Sequence, residues 1–261
     1  MRIDQENAEE APMQANTEIS YRKHTMLESI LFHLIPGLLI GGAYFLIAPA
    51  IRAAGYPSVM ALILTAIFIL VPVELGVLFW LGKRRNGTPS LEGIVLYRQA
   101  LPWWQYLLWV PVIFVASGLI ITLFEPVSTV MEGWFSWIPE SMRLGMGLSG
   151  GFARSKLIQT YALHLVLIVL VAPAVEELYF RGFLLPRMPE GLGKVGPVVH
   201  SLLFALYHVW SPWLFLARTL ALLPLIYIVK WKRNVTLGVG AHVLINSIDF
   251  VVGVMLIVGL G

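Results

Sequence analysis

"LIQTYALHLVLIVLVAPAVEELYFRG", residues 157–182, carries an apolar run over 157–175 straight into Glu176, Glu177 and Arg181. A bilayer-spanning helix needs roughly 20 mostly apolar residues, and this run supplies them. A charge at bilayer depth costs at least about 2.5 kcal/mol, so the three charged side chains mark function or a specific internal partner. Pro173 stands three residues before the acids and has no amide proton, which predicts a kink or local opening of the helix beside them.

The rest of the chain agrees with a membrane setting. Of 261 residues, 58% are hydrophobic and 13% charged, and the mean hydropathy is +0.79. Soluble domains carry about a quarter charged residues. The absence of cysteine excludes disulfides, thiolate metal sites and a cysteine nucleophile. The net charge of +3 is small, and the basic residues sit beside apolar segments, so nucleic acid is not among the expected partners.

Apolar stretches at about 28–51, 59–82, 104–124, 157–175, 196–210, 212–230, 235–247 and 248–261 predict an all-α, polytopic integral membrane protein with about eight transmembrane helices. Residues 1–27 read as a flexible polar cytosolic tail. Residues 28–156 read as N-terminal transmembrane helices, and 157–261 as the helical core that carries the site. Arg22 and Lys23, "KRRNG" (83–87), Arg181, Arg187 and Lys194, and "KWKRN" (230–234) fall on one side if the N-terminus is cytosolic and the helices alternate. With eight crossings, the positive-inside rule puts both termini in the cytosol of a multi-pass plasma-membrane protein. The outer connection 125–156, with interleaved Trp, Phe and Met, predicts an interfacial amphipathic helix.

Three polar groups stand out in the last two-fifths of the chain. In "EELYFR", Glu177 and Arg181 are four apart and pair across one helical turn. Adjacent residues point about 100° apart, so Glu176 is left free as the base. In "FALYH", Phe204 and His208 share a face. In "HVLIN", His242 and Asn246 share a face that Asp249 continues. His24, His33, His164 and His200 lack such partners and receive no site role. There is no HExxH, no GxSxG and no phosphate-binding glycine loop, and the glycines of "GVGAH" (238–242) suit close helix packing.

A free carboxylate, two imidazoles and an amide from three helices can activate water and stabilise an oxyanion. In one route Glu176 is the general base aided by His208, with His242 and Asn246 donating to the oxyanion. In the other, Glu176, His208 and His242 hold a divalent metal such as zinc, which acidifies its water. The spacing leaves both open.

"EELYFR", "FALYH" and "HVLIN" resemble, in order, the EExxxR, FxxxH and HxxxN/B motifs of the CPBP (Abi) intramembrane proteases. That family includes CAAX prenyl endopeptidases and bacteriocin-processing or immunity proteins. The resemblance covers about 157–257. It implies an endopeptidase whose site opens towards the cytosol, with Glu176 as water activator and His208, His242 and Asn246 completing the site. Glu177 and Arg181 support it. The implied partners are the bilayer and a membrane-associated or lipid-modified peptide or protein, in a chain whose compactness looks bacterial. A non-catalytic scaffold or immunity protein of the same fold is the alternative.

Overall fold

The computed structural model describes residues 21–148 and 151–259, so the polar stretch 1–20 lies outside the described residues. The chain folds as helices: α1 (Met26–Ala53), α2 (Val59–Asn86), α3 (Trp103–Trp134), α4 (Arg154–Arg187), α5 (Gly196–Tyr207), α6 (Pro212–Ala221), α7 (Leu223–Lys232) and α8 (Val235–Val258). Large apolar side chains such as Leu38, Leu46, Phe68, Leu107, Leu119 and Leu123 point outward, as a lipid-facing surface requires.

Among the described residues, five helices are long and apolar enough to cross a membrane, or six if α6 and α7, bent by 41°, count as one span. The expectation of eight crossings does not hold, for two reasons. The stretch at 235–247 and the described part of 248–261 up to Val258 form one 24-residue helix, because Asn246 and Asp249 continue the face of His242 and Ser247 bonds back to the Leu244 carbonyl of its own helix. The stretch at 196–210 yields only α5, whose 12 residues rise about 18 Å. Ser211, held extended (φ −142°, ψ 60°) before Pro212, cannot continue the helix.

Hydrogen bonds gather the loops at two opposite ends. At one end Leu96 N–H donates to Gly182, Gln99 N–H to Arg233, Val235 N–H to Tyr97 and His24 N–H to Arg187. The Arg187 guanidinium binds the carbonyls of Gly93, Ile94 and Phe183. This end carries Lys83, Arg84, Arg85, Lys230, Lys232 and Arg233 and is called the basic end below. At the other end Val59 N–H donates to Gly145, Ser58 Oγ–H to Arg143, and Tyr161 Oη–H to Met146. Helix α3 joins the two, with Trp103 and Trp104 exposed at its start and Trp134 at its finish.

The ends of the described chain therefore lie apart. His24 is docked at the basic end, whereas α8 starts there beside Tyr97 and runs to Gly253, which packs on Tyr161 at the far end. The outer connection also departs from expectation. Residues 125–134 extend α3, and the described residues beyond it form one short turn at Glu140–Met142 rather than an interfacial helix.

Helix α4 widens where a kink was expected. Residues Leu165–Val171 and Glu177–Leu184 are π-helical, with Ala172 N–H donating to Leu167 and Leu185 N–H to Phe180, five residues back in each case. Pro173 is five residues after Ile168 and offers no N–H, so the Ile168 carbonyl is left open. Pro186 likewise leaves the Gly182 carbonyl to accept from Leu96. Gly182 is required there, since a Cβ would strike the side chain of Val95 at 2.6 Å.

Candidate active site

The three polar groups converge. Helix α4 presents Glu176, at the end of an α-helical turn, and Glu177, at the start of the π-helical segment. Glu177 and Arg181 are both fully buried, with Arg181 Nη1 3.1 Å from Glu177 Oε1. His242 Nδ1 lies 3.0 Å from the same oxygen. The second oxygen of Glu177 lies against Gly238, where a Cβ would collide with the carboxylate. The Arg181 guanidinium stacks over the Phe204 ring at 4.1 Å, which compensates N–H groups that find no acceptor among the described residues.

Glu176 is held more lightly. Its Oε2 is 3.7 Å from His242 Nε2, and its Oε1 is 3.2 Å from the Tyr207 hydroxyl. The division read from helical spacing, with Glu177 committed to Arg181 and Glu176 left over, matches this geometry.

Glu74 was missed by the sequence reading. It belongs to α2, is wholly buried, and places Oε1 2.9 Å from the Tyr207 hydroxyl. A phenol has one proton to donate. It satisfies one carboxylate as donor and must accept from the other, so one of the two acids carries a proton. Glu74 has no cation at ion-pair distance among the described residues, and an unpaired buried carboxylate is costly. The proton therefore belongs on Glu74, and the chain of donors runs Glu74 to Tyr207 to Glu176. The signal was present in "LVPVELGVL" (70–78), where Glu74 interrupts an apolar span.

His208 caps the C-terminus of α5 and bonds the Phe204 carbonyl through Nδ1 at 2.9 Å. A carbonyl only accepts, so Nδ1 carries the proton, and in the neutral ring Nε2 keeps a lone pair. Asn246 donates Nδ2 to the Ile168 carbonyl at 3.0 Å, the group that Pro173 leaves open. Its second N–H remains available. Glu176, His208, His242 and Asn246 all line one cavity of about 450 Å³. Asp249 lines it too, as its helical face predicted, and so does His164, which the sequence reading had given no site role. His33 and His200 bond each other at 2.8 Å in the core, away from the cavity.

Among the described residues no three His, Asp or Glu side chains are grouped closely enough, as placed, to hold a metal ion. His242 engages Glu177 through Nδ1 and Glu176 engages Tyr207 through Oε1, so His242 Nε2 and Glu176 Oε2 are the atoms turned towards each other.

Residues 158–248 match the family model described as type II CAAX prenyl endopeptidase Rce1-like. The match contains all three motifs and begins after the first three helices. No curated protein and no solved structure matches the chain.

Proposed function

We propose, from the Rce1-like match and the geometry of its residues, that the protein is an intramembrane endopeptidase that hydrolyses a peptide bond in a membrane-associated polypeptide. The observation that carries this is the placement of Glu176, His208, His242 and Asn246 on the wall of one cavity, with a buried ion pair behind them.

Glu176 takes a proton from water as the water oxygen attacks the scissile carbonyl carbon. Tyr207, itself held by Glu74, fixes one oxygen of that carboxylate by donating to it. The other oxygen faces His242 and the cavity. His208 Nε2 accepts the second hydrogen of the water and keeps its oxygen aimed. The free N–H of Asn246 donates to the oxyanion as the carbonyl becomes tetrahedral, joined by His242 when Nε2 is protonated. The C–N bond then breaks, and Glu176 returns its proton to the leaving amine. Arg181 touches nothing that reacts; it neutralises Glu177, which positions the His242 ring.

Purified wild type and Glu176→Gln in lipid vesicles, each given a library of membrane-anchored peptides, test the reading. Hydrolysis by the wild type alone, with Glu176→Gln slower by roughly 10²–10⁴-fold, is the expected result. Equal hydrolysis by both proteins overturns it, and so does none by either.

A further inference from the structure

We infer that the catalytic cavity admits its substrate from the end of the bundle opposite the basic end, and so from outside the cytosol. The word substrate rests on the proteolytic reading; the direction of access does not.

The cavity lies in one half of the bundle. Its floor is Glu176, Phe204, His208 and His242, and its walls climb through Asn246 and Ile168 to Ile121, His164, Asp249 and Leu144. Leu144 belongs to the connection after α3, next to Gly145 and Met146, whose backbones bond Val59 and Tyr161 at the far end. Among the described residues, none of 83–102, 182–200 or 223–241 lines the cavity, although these form the basic end.

Below Glu176 the bundle is solid. Glu177, Tyr179, Phe180, Arg181, Phe183 and Leu184 are all buried. The rings of Phe180, Phe204 and Tyr207 pack edge to face, with centroids 4.7–4.9 Å apart about Phe180. Above it, the walls carry polar groups that a dry apolar channel would not tolerate: His164, Ser211, Asn246 and Asp249. The backbone at 208–211 has left the helical form at this depth, which is permitted where it lines a cavity rather than lipid.

Orientation follows from charge. Lys83, Arg84 and Arg85 with Lys230, Lys232 and Arg233 crowd one end, against Arg52, Arg143, Arg154 and Lys156 at the other. The end richer in Lys and Arg faces the cytosol. The cavity therefore opens outward, opposite to the cytosolic opening that the resemblance implied. The fitting substrate is a translocated or secreted polypeptide that stays tethered at the outer membrane surface. It would thread an extended segment past Leu144 and Asp249 towards Glu176.

The absence of cysteine makes the test direct. Single cysteines are placed at Leu148 on the far connection, at Lys194 at the basic end, and at Ile245 on the cavity wall, with Leu144 as a second cavity position. A charged, membrane-impermeant thiol reagent is then applied to intact cells and to permeabilised ones. Leu148→Cys and Ile245→Cys should react in intact cells, and Lys194→Cys only after permeabilisation. Reaction of Lys194→Cys in intact cells overturns the orientation. Ile245→Cys and Leu144→Cys that stay unreactive in intact cells while Leu148→Cys reacts overturn the opening. Because labelling needs no turnover, its failure is distinct from a failure of the proteolytic reading.

Discussion

The hydroxyl of Tyr207 lies 2.9 Å from the carboxyl of Glu74, and both side chains are fully buried. Because that phenol also meets Glu176, the proton on Glu74 decides which way the phenol points. Glu74→Gln keeps an N–H donor for Tyr207 and should retain most activity. Glu74→Leu should be at least as stable, since an acid leaves the core, but slower by up to about 10²-fold through misplacement of Glu176. Turnover and melting temperature of the two variants check this. Equal turnover in both would contradict the relay.

The two adjacent glutamates should separate cleanly. Glu177→Gln strips Arg181 of its charged partner inside the fold and should cost about 3–5 kcal/mol. Gly238→Ala pushes a methyl into the same carboxylate and should cost about 1–3 kcal/mol. Glu176→Gln should melt close to wild type. Thermal unfolding in detergent reads all three, and a Glu177→Gln protein as stable as wild type would contradict the assignment.

Asn246 and Pro173 are coupled through a carbonyl that neither owns. Asn246→Ala leaves Ile168 without a donor and should cost about 1 kcal/mol. Pro173→Ala returns an N–H five residues after Ile168, in the register of the preceding π turn. The double variant should therefore recover part of the loss, with a coupling of about 1 kcal/mol in a double-mutant cycle. Additive losses would show that the proline and the amide act separately.

His24 gives the docked N-terminal segment a pH dependence. Burial, with Arg187 beside it, lowers its pKa to about 4; Glu28 opposes and Arg22 assists. Once undocked, it titrates near 6.5. As pH falls from about 6.5 to about 4, the detached segment takes a proton that the docked one refuses. Docking is thus full above 6.5, weakens through this window and levels off below it. Exchange of the His24 amide, bonded to Arg187 at 2.8 Å, should quicken accordingly after correction for intrinsic pH effects. His24→Phe, which keeps the stacking on Phe32, should abolish the dependence. Unchanged protection of the wild type across the window would contradict the account.

What the sequence disclosed follows from range. Spacing within one helix is short-range information. It paired Glu177 with Arg181, put His242, Asn246 and Asp249 on one face, and singled out Glu176. Convergence across helices became visible only because the charged and polar groups were too costly to be incidental. The same cost argument, applied to α2, exposes Glu74, but a single acid in an otherwise apolar run was read as part of the span. Tyr207 passed as filler because a phenol is at home in a core; its importance comes from what α2 brings to it. His164 has no polar neighbour along its own helix, and its place on the cavity wall depends on α8. The number of spans was misjudged because hydropathy records apolarity and not continuity. Polar residues facing a cavity look like a break, and a 12-residue helix with a loop at its end looks like a crossing.

The central claim is that Glu176 activates water for peptide hydrolysis. The most direct measurement compares the peptide termini released in cells that carry wild type or Glu176→Gln at matched protein levels. The account predicts a set of new termini, from polypeptides exposed at the outer face, that appears with the wild type and is missing with Glu176→Gln. Identical profiles from the two proteins, with the variant folded, would contradict it and leave the carboxylate with a structural role.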